Sequence, residues 1–160
     1  MKTLVLVRHA KSAWADPTLA DHDRPLNDRG RRDAPEMGRR LRERGTSPDT
    51  ILSSTAVRAR TTAEALATAL AVDPAAVVLD ERLYGSSPET ILDIVAELDD
   101  ELSTALVVAH DPGLSDLAFR LSAEIEHMPT CAVAEFRFPA RSWAELADAD
   151  PVEIRFDTPR

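Results

Sequence analysis

Short apolar runs alternate with amphipathic segments along most of this chain. Four runs have the character of strands with buried side chains, at residues 2–7, 49–54, 76–79 and 103–109. Between and after them, helix formers with apolar residues at helical spacing predict four helices, at residues 28–44, 56–71, 88–98 and 114–121. This alternation predicts an α/β fold, a three-layer αβα sandwich with a mostly parallel central sheet.

Capping and turn residues indicate where the helices begin and end. Asn27 and Ser87 precede the first and third helices and are suitable N-caps, and Gly45 follows the first helix as a typical terminator. Pro35 falls inside the first helix, so we expect either a kink or a delayed start there.

The last part of the chain changes from this alternating pattern. Residues 132–138 and 152–156 both have strand character, with a hairpin-like connection between them. Neither a repeat, a low-complexity tract nor a long linker divides the sequence. We therefore expect residues 1–160 to form a single domain.

The composition narrows the functional classes. A net charge of -9 and a pI near 4.9 argue against nucleic-acid or anionic-membrane binding. The single cysteine, Cys131, cannot form an intrachain disulfide, and no cysteine or histidine spacing suggests a metal site. The first apolar run is too short for a membrane span or a signal peptide, so we expect a cytoplasmic protein without metal or other cofactor.

Basic side chains follow three of the four predicted strands. Arg8 and His9 come directly after the first strand, Arg58 follows the second, and His110 follows the fourth. In a parallel sheet these positions meet at one edge, where open α/β folds bind ligands. Two guanidinium and two imidazole groups form a suitable phosphate site, in which a neutral histidine is an available nucleophile.

These segments carry a resemblance to a known family. The run Val7-Arg8-His9-Ala10-Lys11-Ser12 resembles the Arg-His-Gly motif that opens the histidine phosphatase superfamily, with alanine in place of glycine. Supporting segments follow in family order at residues 23–27, 53–62 and 108–112. Within the superfamily the chain resembles the SixA-type phosphohistidine phosphatases, which implies a phosphoglycerate mutase-like fold.

The resemblance implies a role for each of the four basic residues. His9 would attack phosphorus and carry the phosphoryl group transiently. Arg8, Arg58 and His110 would hold the equatorial oxygens and stabilise the charge of the transition state.

Two further positions match the family pattern. Arg24 corresponds to the arginine of the Arg-Pro-Leu segment and would add a contact to phosphate at the rim of the site. Ser12 matches a small polar position after the Arg-His motif and would contribute a hydrogen bond.

Glu81 is a catalytic candidate with two open interpretations. It lies in a loop resembling the one where phosphoglycerate-mutase-like members carry an acidic proton donor, which helps an alkoxide to leave. Alternatively, Glu81 is one of many surface carboxylates in an acidic protein. A phosphohistidine substrate needs such a donor less.

The sequence therefore predicts a metal-independent phosphatase that works through a phosphohistidine intermediate and removes phosphate from phosphohistidine in proteins. The short loops favour an open site that accepts a phosphorylated side chain of a partner protein. Hydrolysis of small phosphoesters such as sugar or nucleotide phosphates is the alternative enzymatic function. A non-catalytic phosphate-binding domain is a third hypothesis. The oligomeric state stays open, and a monomer is compatible with the sequence.

Overall fold

A computed structural model describes residues 1–160. Its single sheet contains six strands, numbered in chain order as β1 (Lys2–Arg8), β2 (Thr50–Ser53), β3 (Val78–Leu79), β4 (Thr104–Ala109), β5 (Val133–Phe138) and β6 (Glu153–Asp157). They lie in the order β3-β2-β4-β1-β5-β6. The first four strands are mutually parallel, β5 runs antiparallel to β1, and β6 runs antiparallel to β5, so the prediction of a mostly parallel sheet is confirmed.

Four α-helices cover the two faces of this sheet: α1 (Asp28–Glu43), α2 (Val57–Ala69), α3 (Pro88–Ala96) and α4 (Gly113–Ser122). One apolar core joins α1 and α2 to the face that carries Val5 and Val7. A larger core joins α3 and α4 to the face that carries Leu4 and Leu6. The alternation of side chains along β1 thus fills both cores and produces the three-layer αβα sandwich.

The connections place a crevice at the carboxyl ends of β1 and β4. The crossover after β1 passes through α1 to β2, whereas the chain after β4 passes through α4 to β5 on the other side of β1. The two connections leave neighbouring strands in opposite directions. Such a switch point is where open α/β sheets bind ligands.

The predicted caps hold the helices as expected. The Asn27 side chain accepts a hydrogen bond from the Gly30 N–H at 2.9 Å, and Ser87 Oγ accepts one from the Thr90 N–H at 3.2 Å. Gly45 follows α1 with a φ of +86°, a conformation that L residues rarely adopt. Pro35 does not delay the helix, which begins at Asp28, and its ring lies on the exposed face.

The strand predictions differ from the structure mainly at the sheet edge. β3 contains only two residues, because Pro74–Ala76 forms a 3-10 turn where the apolar pattern predicts the start of a strand. At the other edge, β5 and β6 pair as the predicted antiparallel partners. Their connection contains a further 3-10 segment, Trp143–Asp148. None of the helices combines the length and the apolar character that a bilayer crossing needs.

Candidate active site

A polar cleft of about 290 Å³ opens at the carboxyl edge of the parallel strands. Six of the seven residues predicted for the site line it: Arg8, His9, Ser12, Arg24, Arg58 and His110. Four others complete the lining: Lys11, Trp14, Asp111 and Thr130. The fold therefore brings together side chains that come from the ends of three strands and from the long loop after β1.

The position of His9 suits nucleophilic attack. Its Nδ1–H donates a hydrogen bond to the Ala10 carbonyl oxygen at 2.7 Å, which leaves the lone pair on Nε2. The Ala10 N–H donates in turn to Thr62 Oγ1 of α2 at 3.0 Å, which fixes this loop. Burial, together with the nearby His110 and arginine charges, lowers the pKa of His9 to about 3. His9 is therefore neutral at pH 7.

Arg58 enters the cleft from the first turn of α2 and is held from outside by a loop. One Nη donates to the Asp21 carbonyl oxygen at 2.7 Å, and the other donates to the Asp21 carboxylate at 3.0 Å. Asp21 also accepts a hydrogen bond from the Tyr84 hydroxyl at 2.5 Å. This hydrogen bond and the contacts to Arg58 and Arg24 hold the pKa of Asp21 well below its usual range, so Asp21 is a carboxylate.

His110 lies beside His9, with 5.1 Å between the ring centroids. Its Nε2 lies 2.8 Å from Ser54 Oγ, which already accepts the Ala56 N–H. The Ser54 hydroxyl proton is free to point at Nε2, which places the His110 proton on Nδ1. Burial, followed by the Arg58 charge, lowers the pKa of His110 to about 4. Both cleft histidines are therefore neutral at pH 7.

Unpartnered buried nitrogen atoms are concentrated in this cleft. Only four buried side-chain polar atoms in the whole chain lack a hydrogen-bond partner, and three of them are Arg8 Nε, Arg58 Nε and His110 Nδ1. Buried polar groups without a partner are rare and destabilising in folded proteins. The three residues that carry these nitrogens line the cleft, so an anion bound there would lie among their donor groups.

Arg24 and Ser12 form one side of the cleft together. Arg24 Nη1 donates to Ser12 Oγ at 2.7 Å, and the guanidinium lies 3.5 Å from the centre of the Trp14 ring. The Arg24 side chain is buried, whereas Trp14 is 70% exposed. Ser12 and Arg24 thus lie next to each other in the cleft, and Trp14 adds an exposed aromatic surface at its mouth.

Glu81, the seventh predicted residue, does not line the cleft. Its side chain is exposed in the 3-10 turn Glu81–Leu83 and makes no hydrogen bond or ion pair. The same loop instead places Tyr84 against the site, with its ring 5.4 Å from the His110 ring in an edge-on arrangement. A catalytic role for Glu81 stays a prediction, and it would need movement of the loop.

Sequence reasoning missed the outer ring of residues that hold the cleft. Asp21 and Tyr84 belong to this ring, as does His22, which bonds Thr55 at 2.8 Å and packs 5.0 Å from the Tyr84 ring. Arg8 Nη1 lies 3.6 Å from an Asp111 carboxylate oxygen. Asp111 could have been predicted from its position directly after His110, whereas no local sequence pattern predicts the contact between residues 21 and 84.

Comparison with known proteins agrees with this arrangement. The family profile described as the histidine phosphatase superfamily (branch 1) matches residues 4–104. The protein Rv1276c of Mycobacterium tuberculosis (strain ATCC 25618 / H37Rv) is 38% identical over 165 residues, covering 96% of this chain and all of the relative. The match to Rv1276c covers almost the whole chain, whereas the family profile ends at the start of β4, before His110.

Two solved structures show the same architecture. One, from Nakamurella multipartitia and described as a candidate phosphohistidine phosphatase SixA, superposes with a TM-score of 0.83 and 30% identity, covering 96% of this chain and 95% of that one. The other, the mycobacterial glucosyl-3-phosphoglycerate phosphatase Rv2419c with VO3, gives 0.71 and 18% identity, covering 99% and 98%. The second likeness concerns the fold alone.

The α/β sandwich, with a cationic, two-histidine cleft at its switch point, has the phosphoglycerate mutase-like fold. The chain belongs to the histidine phosphatase superfamily, and within it resembles the SixA type. Members of this superfamily are phosphatases or mutases.

Proposed function

We propose that this protein is a phosphatase that forms a phosphohistidine intermediate on His9 and removes phosphate from phosphohistidine in proteins. The observation that carries the proposal is that Arg8, Arg58 and His110 line one polar cleft together with His9, whose Nε2 lone pair is free. A phosphoryl group offers three equatorial oxygens to such donors.

In the first step, the His9 Nε2 lone pair attacks phosphorus while the bond to the leaving group breaks. Because Nδ1 donates to the Ala10 carbonyl oxygen, the ring is held in the tautomer that this attack requires. Arg8, Arg58 and His110 face the charge that the equatorial oxygens carry. The substrate ring carries a proton on its other nitrogen and therefore leaves as a neutral imidazole.

In the second step, a water molecule attacks the phosphoryl group on His9. The P–N bond to Nε2 breaks, phosphate leaves, and the lone pair returns to a neutral histidine. The burial that lowers the pKa of His9 also favours the neutral leaving group at this stage. The same donors serve both steps because the phosphoryl oxygens occupy the same side of the cleft.

The positions of Glu81 and Asp21 favour phosphohistidine over an alkyl phosphoester as the substrate. Glu81 is directed to solvent, and Asp21 is held as a carboxylate, so neither is placed to protonate an alkoxide. Imidazole has an ordinary pKa near 6.5 and leaves without strong acid help. The exposed Trp14 ring at the mouth also offers a stacking surface to an aromatic leaving group.

A small phosphoester is the second candidate substrate. The cleft lining is almost wholly polar, with one hydrophobic residue among ten, which suits a sugar or nucleotide phosphate. A structural neighbour is a glucosyl-3-phosphoglycerate phosphatase. For such a substrate, Glu81 would have to move to the cleft and act as the acid.

A substrate comparison tests the proposal. The purified chain is given a phosphohistidine-bearing protein and a panel of sugar, nucleotide and seryl phosphates, and kcat/KM is measured for each. We expect kcat/KM for phosphohistidine to be at least about 100-fold higher, since the leaving group there needs no acid. A phosphoester that reacts faster, through a rate that Glu81→Gln abolishes, would contradict the phosphohistidine assignment.

A further inference from the structure

Trp14 presents an aromatic ring to solvent at the mouth of the cleft that contains His9. It is the one hydrophobic residue among the ten that line this cleft, and it is 70% exposed. Tryptophan is highly buried on average, because a side chain of this size gains much from leaving water. The other tryptophan of the chain, Trp143, follows that pattern and is almost completely buried. Trp14 is therefore the only apolar surface that a substrate in the cleft can contact.

One face of the Trp14 ring is covered by Arg24. The guanidinium carbon lies 3.5 Å from the ring centre, and an atom so close to the centre lies over the face of the ring, not beside its edge. Because this face is covered while most of the side chain is exposed, the opposite face is open to solvent. Trp14 therefore has one free face for a stacking contact with a planar group.

Hydrogen bonds hold the Arg24 guanidinium on which the ring lies. Arg24 Nη1 donates to Ser12 Oγ at 2.7 Å, and Nε donates to one carboxylate oxygen of Asp21 at 3.2 Å. The other oxygen of Asp21 accepts a hydrogen bond from Arg58 at 3.0 Å. Continuous contacts thus connect Trp14 to Arg58, which is one of the proposed donors to the phosphoryl group.

The leaving group of the proposed reaction is directed towards the mouth of the cleft. The attacking and leaving atoms lie roughly in line through phosphorus, so the leaving group is on the side opposite His9. His9 is buried, whereas Trp14 is exposed, although both line the same cleft. A leaving group on the outer side of phosphorus therefore passes the residues of the rim, among which Trp14 is the only one with an aromatic face.

We propose that Trp14 selects a planar ring as the leaving group, so that the enzyme prefers phosphohistidine to phospholysine among N-linked phosphoryl groups. This inference rests on the proposed function, because it concerns the group that leaves phosphorus. The imidazole stacks on the free face of Trp14, whereas a flexible aliphatic amine has no plane to place there. The bound substrate already makes this contact, so its loss raises KM more than it lowers kcat.

Selectivity kinetics test the proposal. Two peptides of one sequence carry either phosphohistidine or phospholysine, and phosphoramidate, which has no side chain, reports on the phosphoryl site alone. Trp14→Leu keeps an apolar group beside Arg24 without an aromatic face, whereas Trp14→Phe keeps the face. We expect Trp14→Leu to lower the ratio of kcat/KM for phosphohistidine to that for phospholysine about tenfold, mainly through KM. Trp14→Phe should lower this ratio less than about threefold.

The outcomes separate this inference from the proposed function. An unchanged ratio in Trp14→Leu would overturn the inference. An equal loss on all three substrates would also overturn it, because Trp14 would then act only by holding Arg24. Hydrolysis of phosphoesters, without hydrolysis of phosphohistidine or phosphoramidate by the parent enzyme, would instead overturn the proposed function and the inference with it.

A binding measurement tests the stacking contact without turnover. The indole N–H signals of both tryptophans are followed by NMR while imidazole is added with inorganic phosphate, at about pH 8, where imidazole is neutral. We expect the Trp14 signal to shift saturably. The Trp143 signal should stay in place, because its buried N–H donates to the Leu102 carbonyl oxygen at 3.2 Å. Ethylamine, which has no ring, should shift neither signal. No shift of Trp14 with imidazole, or an equal shift with ethylamine, would overturn the proposal.

Discussion

The loops after β1 and β4 and the loop after β3 start from the same edge of one sheet, yet they present their side chains differently. His9 and His110 directly follow central strands and are 7% and 5% exposed. Glu81 follows a two-residue edge strand and is exposed. A strand that is buried on both faces fixes the direction of the side chain that directly follows it. After a short edge strand, the conformation of the loop determines that direction instead. The difference explains why the cleft contains two histidines and no carboxylic acid from β3.

The largest expected difference in kcat is between variants of His9 and of Glu81. His9→Ala should lower kcat on phosphohistidine about 10⁴-fold or more, as expected when a nucleophile is removed. Glu81→Gln should change it less than about twofold, because the side chain touches nothing in the cleft. The exposed Glu124 gives a matched control for Glu81, and Glu124→Gln should keep the parent rate. A Glu81→Gln loss comparable to that of His9→Ala would break the distinction between the two loops.

The next effect compares two arginines of α2. Arg58→Ala should lower kcat about 10²–10³-fold, the size expected for one donor to transition-state charge. Arg60 lies two residues away, is exposed, and pairs with Glu64 at 3.4 Å, so Arg60→Ala should leave kcat unchanged. Steady-state kinetics on one phosphohistidine substrate measure both. Equal losses would mean that helix destabilisation, and not the cleft contact, lowers the rate.

The buried histidines also predict an acid-labile fold. The pKa of His110 is about 4 in the folded protein, below the ordinary value of 6.5, so the unfolded chain takes up this proton first as the pH falls. The contribution of neutral His110 to the free energy of unfolding is complete above pH 6.5. About 3 kcal/mol of it is lost between pH 6.5 and pH 4. His110→Gln should reduce the difference between the free energies of unfolding at pH 7 and pH 4, measured with urea. An unchanged difference would contradict the buried, neutral state of His110.

The smallest effect concerns Tyr84, the residue that the β3 loop does bring to the site. Tyr84→Phe removes the hydroxyl that donates to Asp21, which in turn holds Arg58. We expect kcat/KM to fall about tenfold, in line with one hydrogen bond to a charged group. The pKa of Asp21 should rise toward its ordinary value, since the bond to Tyr84 is the main cause of its lowering. Carboxyl NMR of Asp21 measures this rise, and a lower kcat/KM with an unchanged Asp21 pKa would indicate a different cause.

The contrast between these loops also shows how much of the site can be predicted from the sequence. Arg8, His9 and His110 were predictable because each directly follows a long apolar run, and the sheet order brings those runs together. Arg24, Ser12 and Arg58 followed from the family resemblance or from their place after a strand. Local sequence patterns and the family resemblance therefore predicted these six residues of the cleft.

The outer ring was beyond those arguments for a physical reason. Asp21 and Tyr84 are 63 positions apart and meet through loops without periodic spacing. The residue types do not predict that the Glu81 and Trp14 side chains are exposed, because exposure depends on how each loop packs.

The most direct test of His9 as the nucleophile is identification of the phosphorylated residue in the enzyme. The protein is mixed with a radiolabelled phosphohistidine donor, quenched rapidly, and digested for peptide mapping. We expect an acid-labile, base-stable label on His9 that is absent in His9→Ala and present in Glu81→Gln. A label on another residue, or turnover undiminished in His9→Ala, would contradict the assignment of His9 as the nucleophile.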